Sequence, residues 1–260
     1  MENIKPATRR IIMAAIVLST AIGISRHFLT HTPAGCYSKI FAVGSSLCHQ
    51  IPSHSPILNG VQFPLCARCT GLYLGSLIGL TYALFAGRKA GIPKKPYLIF
   101  LFSIFVIWGA DGVNSLVSDF LNRPFLYETT NVTRSITGYG MGLVMSTALT
   151  TLFNITVWEE RENTPILRTP MQVGVYILLA GAINLLILSN NDYLFRLAAF
   201  LAIFTALAII SLLYSVFWVI LLKKENTFKR TRDLWIYLAA GFATCMLQIS
   251  LMIALRNSVL

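Results

Sequence analysis

With 260 residues, 55% of them hydrophobic and only 12% charged, and a mean hydropathy of +0.67, the chain falls outside the range of a water-soluble globular domain. The net charge of +11 does not argue for nucleic acid, because the basic residues sit in short loops beside apolar runs, where lipid headgroups and membrane topology account for them. The long apolar runs do not alternate as the strands of a membrane barrel would, and the sequence contains no Walker loop or dinucleotide-binding glycine pattern.

In chain order, apolar runs long enough to cross a bilayer occupy about 11–30, 70–87, 97–118, 132–157, 171–189, 196–222 and 234–255. The expected fold is therefore all-α and integral to the membrane: a bundle of about seven transmembrane helices with a Cys/His-rich outer loop at 31–69. Lys5, Arg9 and Arg10 precede the first run as in a signal peptide. Arg26, His27 and Phe28 stand where a cleavage site would be, so an uncleaved span is expected. Of the 21 lysines and arginines, 14 lie before the first run or in loops 88–96, 158–170 and 223–233. The positive-inside rule then places the N-terminus in the cytoplasm, and the C-terminus and residues 31–69 outside the cell membrane. Gly71, Gly75 and Gly79 on the second span, and Gly138 and Gly142 on the fourth, are spaced for close helix packing in lipid. Loop 158–170 reads as a solvated charged connector. Within the seventh span, Cys245 reads as a small buried hydrophobe and Gln248 as an interhelical hydrogen-bonding group.

All four histidines (His27, His31, His49, His54) and four of the five cysteines (Cys36, Cys48, Cys66, Cys69) fall within residues 27–69. In "CARCTG" the Cys-x-x-Cys spacing forms a knuckle whose two thiolates can share one ion. Cys48 and His49, upstream, supply further donors in the pattern zinc or another thiolate-binding metal takes. Two other chemistries fit the same residues. Thiols at the mouth of a helix, with Arg68 between them, suit a redox centre. An even number of outer cysteines also suits structural disulfides. Attachment of a c-type haem is excluded, because Thr70 stands where the motif needs histidine.

Asp111 lies about 21 Å into the third span, counting from residue 97 at 1.5 Å per residue. A carboxylate at that depth needs a partner or a wet cavity. Asn114, Ser115 and Ser118 continue its stripe on one helix face. Asn131, Arg134 and Thr137 occupy the corresponding end of the fourth span, and Arg134 is the expected partner of Asp111.

The segments "CHQ", "PLCARCTGLYLG", Asp111–Gly112 and "NVTRSITG" together resemble the predicted membrane proteins grouped as domain-of-unknown-function family 2085, over about residues 36–150. The resemblance implies interest in Cys48, His49, Gln50, Cys66, Arg68, Cys69, Asp111, Asn131 and Arg134. In the family an arginine usually stands where this chain has His54. It also implies a family-like core at 1–157, including the outer segment 31–69, and an additional three-helix region at 158–260. The favoured expectation is an enzyme acting on a lipid or isoprenoid at the outer leaflet. Cys48, His49, Cys66 and Cys69 would hold a metal or form a thiol centre. Asp111 would serve as acid/base, with Arg68, Arg134 and Asn131 at an anionic headgroup. The alternative is a non-catalytic subunit, binding or transport protein in a larger membrane complex, with a purely structural knuckle.

Overall fold

The computed structural model describes residues 6–259; Lys5, counted above among the basic residues, lies outside them. Seven long apolar helices span the bundle: α1 (Pro6–His31), α3 (Ala67–Ala86), α4 (Lys95–Leu121), α5 (Asn131–Val157), α6 (Pro170–Leu188), α7 (Asp192–Leu221) and α8 (Trp235–Val259). A shorter helix, α2 (Cys36–Leu47), follows α1. Even the 19-residue α6 is about 28 Å long, enough for a hydrocarbon core of about 30 Å. Large apolar side chains such as Leu178, Leu185 and Phe204 face outward, which is the burial pattern of a chain dissolved in lipid. The protein is a multi-pass membrane protein.

Local chemistry sets the helix boundaries. Thr130 caps α5 and Thr169 caps α6, each in a reciprocal capping box, with Thr133 and Gln172 respectively returning to the cap. α7 is capped by Asn191, whose side chain accepts from the Leu194 amide at 3.1 Å. At the other end of α4, Asn122 adopts a left-handed conformation (φ 51) that stops the helix.

The centre of the bundle is the parallel pair α3 and α5. A Cβ placed on Gly138 would come within 2.2 Å of the Arg68 carbonyl oxygen, and one on Gly71 within 2.4 Å of that of Ser135. Gly142 is crowded by α3 backbone in the same way, and Gly75 by the Tyr176 hydroxyl and the Tyr139 backbone. The small-residue stripes thus permit backbone-to-backbone contact, as their spacing predicts. α6 is pinned to this pair by Tyr176, whose hydroxyl donates to the Tyr139 carbonyl at 2.6 Å. α7 packs on α3 and α5, and α8 packs on α7, α1 and α2. Across the α7–α8 seam, Tyr214 donates to Gln248 and Trp218 to Thr244, each at 3.0 Å. Cys245 is fully buried there.

The basic end is more ordered than a solvated connector. β3 (Lys89–Gly91) pairs in parallel with β4 (Glu162–Pro165). Arg88 stacks over Trp158 at 4.0 Å and donates to the Lys229 carbonyl at 2.7 Å. From loop 158–170, Glu162 pairs with Lys89 at 3.7 Å and Glu159 with Lys229 at 3.2 Å, so its charges help tie three loops together, which composition alone does not reveal.

Gly138→Ala should destabilise the protein by about 1–3 kcal/mol through overpacking. Gly174→Ala, where a Cβ meets nothing within 4 Å, should not destabilise the protein and, inside a helix, should stabilise it by up to about 1 kcal/mol. Thermal unfolding in detergent compares the two.

Candidate metal centre and polar cleft

The opposite end of the bundle carries α2, the turn Pro52–His54 and a two-stranded hairpin, β1 (Ile57–Leu58) with β2 (Val61–Gln62). Gln50 holds this cap together. Its side-chain amide donates to the carbonyls of Phe41 and Pro64, both at 2.9 Å, and its own carbonyl accepts from Gln62 at 2.8 Å. The middle residue of "CHQ" is exposed, whereas its neighbours Cys48 and Gln50 are buried.

The Sγ atoms of Cys48, Cys66 and Cys69 all lie within 4.8 Å of one another. Cys66 is the N-cap of α3, so its sulfur accepts the Cys69 amide at 3.5 Å. The Cys66 amide in turn donates to the Cys48 sulfur at 3.2 Å. Backbone N–H groups aimed at sulfur, at a positive helix end, favour thiolate. Among the three thiols, Cys66 is held far below the ordinary range, first by the Cys48 and then by the Cys69 thiol hydrogen-bonding to it. Cys48, on the donating side of that contact, is pushed up to about 11. Zinc–sulfur bonds of about 2.3 Å place tetrahedral sulfurs roughly 3.8 Å apart. The cluster therefore fits a thiolate-bound ion after a small contraction. His49 Nδ1 lies 4.0 Å from the Cys48 sulfur but outside the group of mutually close ligand atoms. Its ring instead meets that of His54 edge-on at 5.6 Å. His27 and His31 stack on each other along α1, and Cys36 is exposed at the start of α2.

The knuckle is coupled directly to the membrane carboxylate. Arg68, between the two knuckle cysteines, reaches Asp111 Oδ2 through Nε at 2.9 Å and Nη2 at 2.5 Å, and also donates to the Asp111 carbonyl at 3.1 Å. Tyr127 donates to Oδ1 at 2.5 Å and Thr137 to Oδ2 at 3.1 Å. Asp111 thus has a partner, but it is Arg68 rather than Arg134. The first turn of α3 delivers Arg68 to the level of Asp111, while Arg134 reaches the α4 stripe one turn further along. There it donates to Ser115 at 3.0 Å, to Thr129 at 2.8 Å and to Asn131 at 3.4 Å. The rest of the α4 stripe fastens loop 122–130. Asn114 donates to the Tyr127 carbonyl at 2.9 Å and accepts from the Leu126 amide at 2.8 Å, and Ser118 accepts from the Phe125 amide at 3.0 Å. Burial, then donation to Asp111, raises the pKa of Tyr127.

Beyond Arg134 opens a cleft of about 520 Å³, lined also by His54, Asp119, Glu128 and Thr129. Only 5% of Arg134 is exposed, and among the described residues its buried Nε has no acceptor. His54 Nε2 lies 3.3 Å from Asp119 Oδ1. Burial, and then the charge of Arg134, lowers the pKa of His54. Sequence reasoning alone does not find Asp119, Glu128 or Tyr127. Asp119 was accessible in principle, since it extends the 111–115 stripe by another four residues. Arg256 is a further addition: from α8 it donates to the carbonyls of Ser45 (2.8 Å), Cys48 (3.0 Å) and His49 (3.2 Å).

This architecture defines a multi-pass helical membrane protein with a thiol cluster and a polar cleft at one end. The chain belongs to the family described as predicted membrane protein, domain of unknown function 2085, whose profile matches residues 48–148. It is similar to an uncharacterized protein of Methanothermobacter thermautotrophicus, 31% identical over 104 residues, which cover 39% of this chain and 84% of that one. It is also similar to an uncharacterized protein of Methanocaldococcus jannaschii, 33% identical over 108 residues, covering 41% of this chain and 63% of that protein's length. No solved structure matches the chain.

Replacing either partner of the Arg68–Asp111 pair should strand the other in a low-dielectric layer, at a cost of about 3 kcal/mol or more for Asp111→Asn. Adding Arg68→Gln should cost much less than the sum of the two single changes. A double-mutant cycle read by unfolding in detergent measures this coupling, and the cycle of Asp111→Asn with Arg134→Gln should be closer to additive.

Proposed function

We propose that the protein binds the phosphate-bearing headgroup of a lipid or isoprenoid in this cleft, and that Cys48, Cys66 and Cys69 hold a zinc-type ion that locks the cleft's frame. The observation that carries the reading is Arg134: a buried guanidinium with one unmatched N–H, bonded only to neutral oxygens, in the wall of a cleft large enough for a headgroup. A buried cation without a carboxylate is unfavourable unless an anion completes it. The thiolate donors favour a soft or borderline ion such as zinc, which would supply folding energy or Lewis acidity when bound.

Within this reading the residues divide by exposure. Asp111 is only 1% exposed and both its oxygens are engaged, so its role is to position Arg68, and through it the knuckle. Asn131 positions Arg134. An activity on the bound lipid would fall to His54, oriented by Asp119, as the imidazole that lines the same cleft as Arg134. The burial of Cys48 and Cys66 favours a second, non-catalytic reading, in which the metal is structural and the protein presents or senses the lipid within a larger membrane assembly. By the positive-inside rule this face is extracytoplasmic.

Purified protein should contain about one metal ion per chain, with Cys36 open to alkylation and Cys48, Cys66 and Cys69 protected until a chelator is added. Cys66→Ser or Cys69→Ser should lose the ion. Elemental analysis beside thiol counting decides: a metal-free protein with a Cys66–Cys69 disulfide overturns the metal assignment.

A reporter fused after Leu260 should be active only outside the cytoplasm. Activity confined to the cytoplasm would reverse the assigned orientation and move the cleft to the inner leaflet.

A further inference from the structure

The cleft that holds Arg134 is not a simple anion site. Asp119, at the last turn of α4, and Glu128, in the following loop, line the same space. The Asp119 side chain is 44% exposed, and its ion-pair partner among the described residues is His54. An anion seated on Arg134 would meet these two carboxylates as repulsion, and a simple cation drawn to the carboxylates would meet Arg134. A ligand that carries both signs satisfies both walls. The cleft is also without an aromatic cage: Ile51, Pro124 and polar residues line it, and His54 is the one ring among them. Quaternary ammonium groups are held on such cages, whereas a primary ammonium is held by hydrogen bonds to carboxylate and hydroxyl oxygens.

Resting on the headgroup reading above, we infer that the ligand is zwitterionic: a phosphate that completes Arg134, joined by a short spacer to a primary ammonium held by Asp119 and Glu128. This is the chemistry of aminophospholipids of the phosphoethanolamine or phosphoserine class. The two partners lie at different depths. Arg134 is buried in the wall, while Asp119 and Glu128 are partly exposed. The phosphate would therefore enter the site and the amine remain near the mouth. The carboxylates, not the arginine, set the choice among headgroups.

The test uses the full chain in maltoside detergent and measures binding of dioctanoyl phosphatidylethanolamine, phosphatidylglycerol and phosphatidylcholine, beside soluble phosphoethanolamine and inorganic phosphate. Phosphatidylethanolamine should bind about tenfold more tightly than either other lipid, the size of one charge-assisted hydrogen bond. Asp119→Asn and Glu128→Gln, both at exposed side chains and checked for an unchanged melting temperature, should bring phosphatidylethanolamine down to the level of phosphatidylglycerol. Arg134→Gln should weaken all three lipids; if that variant does not fold, Arg134→Lys, which keeps the charge and loses the fork, takes its place. Phosphatidylglycerol binding as tightly as phosphatidylethanolamine to the unaltered protein overturns the amine inference and leaves the headgroup reading standing. A folded Arg134 variant that binds every lipid normally, or an unaltered protein that binds none, overturns the headgroup reading itself. Soluble phosphoethanolamine binding as tightly as the lipid would support the phosphate-and-amine site and overturn the lipid as its source.

Discussion

The ion pair between Arg68 and Asp111 is the constraint on which the thiol-cluster end of this protein depends. A carboxylate inside a membrane span is expensive unless it is neutralised and hydrogen-bonded. Here the neutralising group comes from between two candidate metal ligands. Asp111 therefore sets the depth and rotation of the first turn of α3, and that turn sets where the sulfurs of Cys66 and Cys69 stand. Tyr127 and Thr137 complete the carboxylate and bring in loop 122–130 and α5. Three chain segments thus converge on one side chain of a fourth, each with its own reason for being there.

Close packing elsewhere makes that convergence possible. The Arg68 carbonyl lies where a Cβ of Gly138 would be, so a side chain at position 138 would push α3 away from α5 at the level of the ion pair. Backbone contact between α3 and α5, and the polar layer above it, form one construction: the glycines set the distance and the charges set the register. By contrast, α6 is tied to this core at separate points along its length, by Tyr176 donating to the Tyr139 carbonyl, Gln172 donating to Tyr82 and Asn184 accepting from Ser135. The polar groups that matter lie at one end, while the opposite end uses its charges to bind loops to each other.

Much of this was legible in the sequence, because the bilayer is a severe reader of composition. The seven spans follow from apolar length, and the close α3–α5 contact follows from glycines four apart. Proximity of Cys48 to the knuckle followed from the rarity of such residues in a hydrophobic chain. The partner of Asp111 was not legible. Arg68 and Arg134 both lie near the correct depth, and only the rotation of α3 about its axis selects between them; sequence spacing leaves that rotation open. Tyr127 escaped for a related reason: a loop side chain reaches inward only because Asn114 and Ser118 hold its backbone. The charged stretch of loop 158–170 is solvated as expected, but its pairing with β3 is not legible, because strand pairing between distant loops leaves no local periodicity.

Arg256 gives the order of synthesis a structural meaning. It lies on α8, far outside the matched stretch 48–148, yet it binds the successive carbonyls of Cys48 and His49. As the chain is made, the knuckle, Asp111 and the cleft residues are all inserted while those carbonyls still lack their guanidinium. The loop that carries Cys48 acquires its last anchor only when α8 docks. Completion of the thiol cluster is thereby tied to assembly of the whole bundle, and a chain stalled or cut before α8 would carry all three clustered cysteines and still lack the clamp that holds the first of them.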